Sequence, residues 1–212
     1  MKAYQEKFLK IALSTEALEF GDFTLKSGRK SPYFFNAAKM LNGGSISELA
    51  WCYTEAIKEK DLEFDSIYGP AYKGIFIGSI VAMHFSQNGI EYPLSFNRKE
   101  VKDHGEGGNI IGPNPSGNIL IIDDVLSAGT AAKESIEIIK ENGAVPKFFV
   151  IGLDRQEKGS SNLSARNQLE ATYGISVISI INLDTLISFA NNSNEYQQYL
   201  KDLQNYRELW GA

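Results

Sequence analysis

The chain has 212 residues, 43% hydrophobic and 22% charged, values ordinary for a soluble globular protein and sufficient for one domain. Its net charge of −5 gives no overall attraction for nucleic acid, and one cysteine, Cys52, excludes an intramolecular disulfide or a cysteine metal cluster. No stretch is apolar for long enough to cross a bilayer, and residues 1–17 are charged and amphipathic, so no membrane partner and a cytoplasmic location are expected.

In chain order, residues 2–19 place Tyr4, Phe8, Leu9, Ile11, Ala12 and Leu18 near helical spacing, with Gly21 as the stop. A hairpin is expected next, from Phe23-Thr24-Leu25 through a Ser27-Gly28 turn to Tyr33-Phe34-Phe35. Gly43 and Gly44 break the chain, and Ser45 is placed to cap a helix reaching about Lys60. Cys52 falls inside that helix and reads as a packed thiol. Residues 66–70 form a short strand ending in Ala71-Tyr72-Lys73-Gly74, and a helix is expected over 75–87. Another strand spans 92–98. Residues 97–117 are rich in Gly, Asn, Pro and charge and read as a mobile excursion. Strands over 147–153 and 175–181 alternate with helical spacing over 160–173, and 184–190 opens a last helical region. Strands alternating with helices predict an α/β fold with a doubly wound, mostly parallel sheet, whose ligands bind beyond the carboxyl ends of the strands.

The chain's chemistry centres on residues 119–131, ILIIDDVLSAGTA. Ile119 to Ile122 is an unbroken apolar run, the mark of a strand covered on both faces. Asp123 and Asp124 follow, then a small-residue turn and a helix over 131–142. Backbone N–H groups in such a turn, with the positive end of a helix, suit a phosphate dianion. The carboxylates can accept ribose hydroxyls or meet Mg²⁺ directly or through water. No Gly-Lys-Ser/Thr follows the strand and no GxGxxG is present, so this is neither a Walker A loop nor a dinucleotide fingerprint. The bland alternative is a buried strand in which Asp124 and Ser127 serve only turn and cap chemistry. Against it stand the polar or glycine-rich ends of the other strands: GPAYKG, FNRKE and LDRQE.

The stretch from Val125 to Ala131, with the acidic pair before it, resembles the phosphoribosyl diphosphate (PRPP) signature of the type I phosphoribosyltransferases. FTLKSGRKSPYFFN (residues 23–36), GPAYKG, FNRKE, KDHGEGG (residues 102–108) and DRQE resemble orotate phosphoribosyltransferases in order and spacing. The resemblance implies one phosphoribosyltransferase domain over 1–212, with a hood mainly from 1–40 and a flexible catalytic loop at about 99–112. It also implies Mg²⁺, held mainly by PRPP, and the transfer of phosphoribose to orotate in pyrimidine synthesis.

On that resemblance, Asp123 and Asp124 meet the ribose hydroxyls and offset cationic character at C1, and the two are expected to be inequivalent. Ser127, Ala128, Gly129 and Thr130 hold the 5-phosphate, and Val125, Leu126 and Ala131 also border PRPP. Lys26, Tyr72, Lys73, Arg98, Lys99, Lys102 and His104 serve PRPP and its pyrophosphate. Orotate falls to Lys26, Phe34, Phe35, Ser127 and Arg155, with hood core as the rival role for one phenylalanine and a surface ion pair with Glu157 as the rival for Arg155. The implied assembly is a homodimer sharing Lys99, Lys102 and His104 across its interface, with Lys102 and His104 delivered by loop closure. Ser127 departs from the threonine common in the family, and residues 111–116 are longer and richer in proline than usual. A purine phosphoribosyltransferase and a PRPP-sensing regulator are the rival readings. The hood from Lys26 to Phe35 argues against the first, and the lack of a basic face or spare segment against the second.

Overall fold

The computed structural model describes residues 1–102, 108–126, 129–159 and 163–212. Its centre is a six-stranded sheet of β3 (Ser66–Gly69), β4 (Leu94–Lys102), β5 (Gly108–Ile111), β6 (Asn118–Leu126), β7 (Val145–Asp154) and β8 (Ser176–Asn182), in the order β5-β4-β3-β6-β7-β8. All neighbouring pairs are parallel except β4–β5 at one edge. Helices α1 (Ala3–Ser14), α2 (Ile46–Glu59) and α3 (Lys73–Gln87) pack on one face with α6 (Leu183–Asn191) and α7 (Leu200–Trp210). On the other lie α4 (Thr130–Glu141) and α5 (Ala165–Tyr173). The expected doubly wound, mostly parallel α/β sheet is therefore present.

Burial explains the layering. Ile119 and Ile121 enter the core on one face of β6, Leu120 and Ile122 that on the other, and all four have no exposed surface. Each such side chain contributes about 1.5–3 kcal/mol by leaving water. This two-sided burial produces the unbroken apolar run. Cys52 is fully buried in α2, where desolvation pushes its thiol up to about 12, so it is an inert packed group.

Four expectations need correction. The first helix ends at Ser14 rather than near Glu19, and a strand, β1 (Leu18–Thr24), begins where the helical spacing continues in the sequence. Leu18 pairs with Phe35, so tertiary pairing with β2 (Lys30–Phe35) overrides the local pattern. Ser45 precedes α2, but its hydroxyl donates to the carbonyls of Met40 and Asn42 rather than capping the helix. The strand after residue 118 continues through both aspartates to Leu126 instead of ending at Ile122. Finally, the excursion at 97–117 is bounded by ordered strands: β4 extends to Lys102 and pairs antiparallel with β5, Phe96 opposite Ile111 and Asn97 opposite Ile110. Among the described residues, no helix is long and apolar enough to cross a membrane.

Candidate active site

The carboxyl ends of β3, β4, β6 and β7 bring the predicted chemistry to one edge of the sheet. The approach of α3 to β3 and β6 is made possible by two glycines. A Cβ on Gly69 would strike the Gly74 carbonyl, and one on Gly74 would lie 2.7 Å from the carbonyl oxygen of Ile122. The turn between them is held by Asn97, whose Oδ1 accepts from the Ala71 N–H at 3.0 Å. Helix α3 starts at Lys73, two residues earlier than the spacing predicted. A lysine at a helix N-terminus opposes the helix dipole, so it needs a nearby anion. Asp124 supplies it: Lys73 Nζ lies 2.6 Å from Asp124 Oδ2.

The acidic pair is inequivalent, as expected. Asp124 is 6% exposed and carries the Lys73 contact. Asp123 is less enclosed and accepts from the Asp124 N–H at 2.9 Å, while its own carbonyl accepts from the Tyr53 hydroxyl at 2.9 Å. Desolvation and the Asp124 charge push the Asp123 carboxyl up to about 7. Among the described residues no side-chain hydroxyl or ammonium hydrogen-bonds this carboxylate, and a sugar hydroxyl or a hydrated cation would complement it.

Of the phosphate turn, Ser127 and Ala128 lie outside the described residues. Gly129 has φ of 76°, a left-handed conformation glycine adopts without strain, and leads into α4 with no side-chain cap. The N–H groups of Thr130 and Ala131 in the first turn of α4 have no acceptor among the described residues and suit an anion. Val125 and Leu126 direct their side chains into the two cores, leaving only their backbone for a ligand.

The cationic positions fall in two groups. Arg98 and Lys99 lie on β4, and Lys99 Nζ sits 5.0 Å from the ring centre of Tyr72, which is 70% exposed. Lys26 is exposed in the β1–β2 turn. The backbone of Lys102 ends β4, whereas His104 lies outside the described residues.

On the orotate side, strand alternation separates the two phenylalanines. Phe34 is 38% exposed and packs on Phe23, with ring centres 5.6 Å apart. Phe35 turns inward against Phe8 at 6.3 Å, so it is the one that serves the core. Arg155, just past β7, is not the surface residue that its rival reading supposed. It is 8% exposed, and its Nε donates to Glu157 Oε1 at 2.5 Å. Its Nη2 donates to Ser31 Oγ at 2.9 Å and to the Tyr206 hydroxyl at 3.2 Å, and the guanidinium lies 4.2 Å from the ring centre of Tyr33.

Curated relatives match the sequence along their whole length. The orotate phosphoribosyltransferase of Marinobacter nauticus is 47% identical over 212 residues, and that of Mannheimia succiniciproducens 49% over 213, each match covering all of both chains. The crystal structure of the Francisella tularensis orotate phosphoribosyltransferase superposes with a TM-score of 0.87 at 34% identity, over 97% of this chain and 99% of that one. The chain belongs to the orotate phosphoribosyltransferase family. No family model matches it. An adenine phosphoribosyltransferase from Thermoanaerobacter pseudethanolicus, at a TM-score of 0.55 and 14% identity, shares the fold alone.

Several residues of this orotate phosphoribosyltransferase site escaped the sequence reading. Asn97, inside the FNRKE block but given no role there, supports the Ala71 turn, and Tyr53, which nothing local marks, supports the Asp123 backbone. Gly152 had a subtler signal, a glycine inside an apolar strand: a Cβ there would lie 2.9 Å from the Tyr53 hydroxyl and 3.0 Å from the Asp124 carbonyl oxygen.

Proposed function

We propose that the chain transfers the 5-phosphoribosyl group from PRPP to orotate, giving orotidine 5′-monophosphate and pyrophosphate in cytoplasmic pyrimidine synthesis. The observation that carries this reading is the inequivalent Asp123–Asp124 pair beside Lys73, at the strand end that leads through Gly129 into α4.

On this reading each residue takes a role. The turn at 127–130 and the first N–H groups of α4 receive the 5-phosphate. Asp123 and Asp124 receive the ribose hydroxyls and hold negative charge near C1, where the transition state becomes cationic as the pyrophosphate bond breaks. Lys73 releases part of its hold on Asp124 to meet pyrophosphate oxygens, joined by Lys26, Tyr72 and Arg98. Lys102 and His104 complete that set from the partner of a homodimer, as does Lys99. Phe34 forms an aromatic wall for orotate, Phe35 and Ser127 supply further contacts, and Arg155 meets its carboxylate.

Mg²⁺ fits this donor set. Asp123 and Asp124 are oxygen ligands in a charge-deficient position, and among the described residues no cluster of three His, Cys, Asp or Glu forms a full protein cage. Asp123 or Asp124 would hold a hydrated Mg²⁺ through water, and the ion would supply positive charge to offset that of the departing pyrophosphate. The test is mass-spectrometric product analysis after incubation with PRPP and orotate, with and without Mg²⁺. Formation of orotidine 5′-monophosphate with Mg²⁺ alone supports the reading, and its absence under both conditions refutes it.

A further inference from the structure

Three elements distant in sequence converge on Arg155. Ser31 and Tyr33 come from hood strand β2, Glu157 follows β7, and Tyr206 belongs to the C-terminal helix α7. The Tyr206 hydroxyl accepts from Arg155 Nη2 and donates to Glu157 Oε1 at 2.6 Å, so it joins both partners of the ion pair. Tyr206 is 4% exposed and packs edge-on to Tyr33, with ring centres 6.0 Å apart. Backbone bonds fix α7 relative to the segment after β7: the Lys158 N–H donates to the Trp210 carbonyl at 2.8 Å, and the Ala212 N–H to the Gln156 carbonyl at 3.0 Å.

Two consequences concern an anionic base. Glu157 is shared, since its Oε2 also accepts from Arg29 Nη1 at 2.9 Å, and Arg29 in turn lies 4.2 Å from the ring centre of Trp210. Within the Arg29–Glu157–Arg155 cluster the formal charges sum to +1, while Asp154, the last residue of β7, faces Arg166 at 3.9 Å, so the cluster can accept a carboxylate. Furthermore, Nε and Nη2 of Arg155 are both engaged, while Nη1 has no hydrogen-bond acceptor among the described residues. A guanidinium stacked on one face and held along one edge loses little freedom on binding a planar acid.

We propose that Tyr206 is a positioning residue for base selection, its hydroxyl fixing Arg155 so that the Nη1 side meets the carboxylate of orotate. This rests on the reading that Arg155 receives orotate. The C-terminal helix thus acts on the site through Arg155 without touching substrate.

The test is steady-state kinetics of Tyr206→Phe, Ser31→Ala, Arg155→Ala and the double variant Tyr206→Phe/Arg155→Ala, with KM measured separately for orotate and PRPP. Loss of one hydrogen bond to a charged group predicts a rise of about tenfold in the orotate KM of Tyr206→Phe, with the PRPP KM unchanged. Ser31→Ala removes the other Nη2 acceptor and is expected to move the orotate KM in the same direction, which keeps the test open should Tyr206→Phe fold poorly. In the Arg155→Ala background, Tyr206→Phe is expected to add nothing. Equal rises in both KM values, or an additive effect in the double variant, would overturn the positioning role. An orotate KM unchanged in Tyr206→Phe but raised in Arg155→Ala would also overturn it, whereas an unchanged value in Arg155→Ala would refute the underlying reading of Arg155.

Discussion

Replacing Asp123 with asparagine separates the cost of the acidic pair from its use. In the ligand-free protein the Asp123 carboxyl is pushed up to about 7 from an ordinary value of 3.8, by desolvation and by Asp124. The native state therefore binds more protons than the unfolded chain between those values, and stability falls as pH rises through that window. At about 1.4 kcal/mol per pH unit, a rise of roughly 3 units costs up to about 4 kcal/mol above pH 7, an upper bound because the two carboxylates share the effect. At pH 5 Asp123 is mostly protonated when folded, and the same linkage leaves a little under half of that cost. The asparagine side chain keeps an oxygen to accept the Asp124 N–H and carries no charge. Urea unfolding of the ligand-free proteins is thus expected to show Asp123→Asn more stable by about 2–4 kcal/mol at pH 8, with the gain roughly halved at pH 5. Turnover is expected to drop by about a hundredfold or more, as for loss of a group aimed at transition-state charge. A variant less stable than wild type at pH 8, or a difference independent of pH, would refute the electrostatic reasoning.

The other predictions probe separate parts of the site. Gly69→Ala sets a Cβ against the Gly74 carbonyl and forces β3 from α3; a loss of about 1–3 kcal/mol in denaturant unfolding is expected, with a higher PRPP KM from displaced Lys73. Phe34→Ala is expected to raise the orotate KM with little change in melting temperature, whereas Phe35→Ala, which loses packing on Phe8, is expected to cost roughly 1–3 kcal/mol in stability. The reverse pattern would mean the two rings have exchanged roles. Lys102→Ala is expected to cut turnover about a hundredfold or more without changing the fold. Mixing it with Arg155→Ala protein is expected to restore activity through hybrid dimers with one intact site, and no recovery would argue against a loop shared between subunits.

Sequence legibility followed the range of the forces involved. The strands of the sheet were readable because two-sided burial leaves an apolar run, as at Ile119 to Ile122. Strand β5 was not, because the hairpin with β4 takes its order from pairing, Asn97 opposite Ile110, in a segment whose composition reads as loop. Leu18 is buried as its helical spacing suggested, but in a strand. Within the site, Asp123, Asp124, Lys73 and Arg155 could be named from local motifs. Their supports could not: Arg155 reaches Ser31 across 124 positions and Tyr206 across 51, and Tyr53 meets the Asp123 carbonyl across 70. Local pattern carries no signal for contacts of that separation. The ion pair of Arg155 with Glu157 is present as the rival reading had it, but it is buried rather than on the surface, because β2 and α7 together cover it.

The most direct test of the central claim is the fall in near-ultraviolet absorbance as orotate is consumed with PRPP and Mg²⁺, run in parallel with assays on adenine, hypoxanthine and uracil. Turnover of orotate alone, dependent on Mg²⁺, is the predicted result. Turnover of another base in its place, or tight PRPP binding with no base consumed, would contradict it.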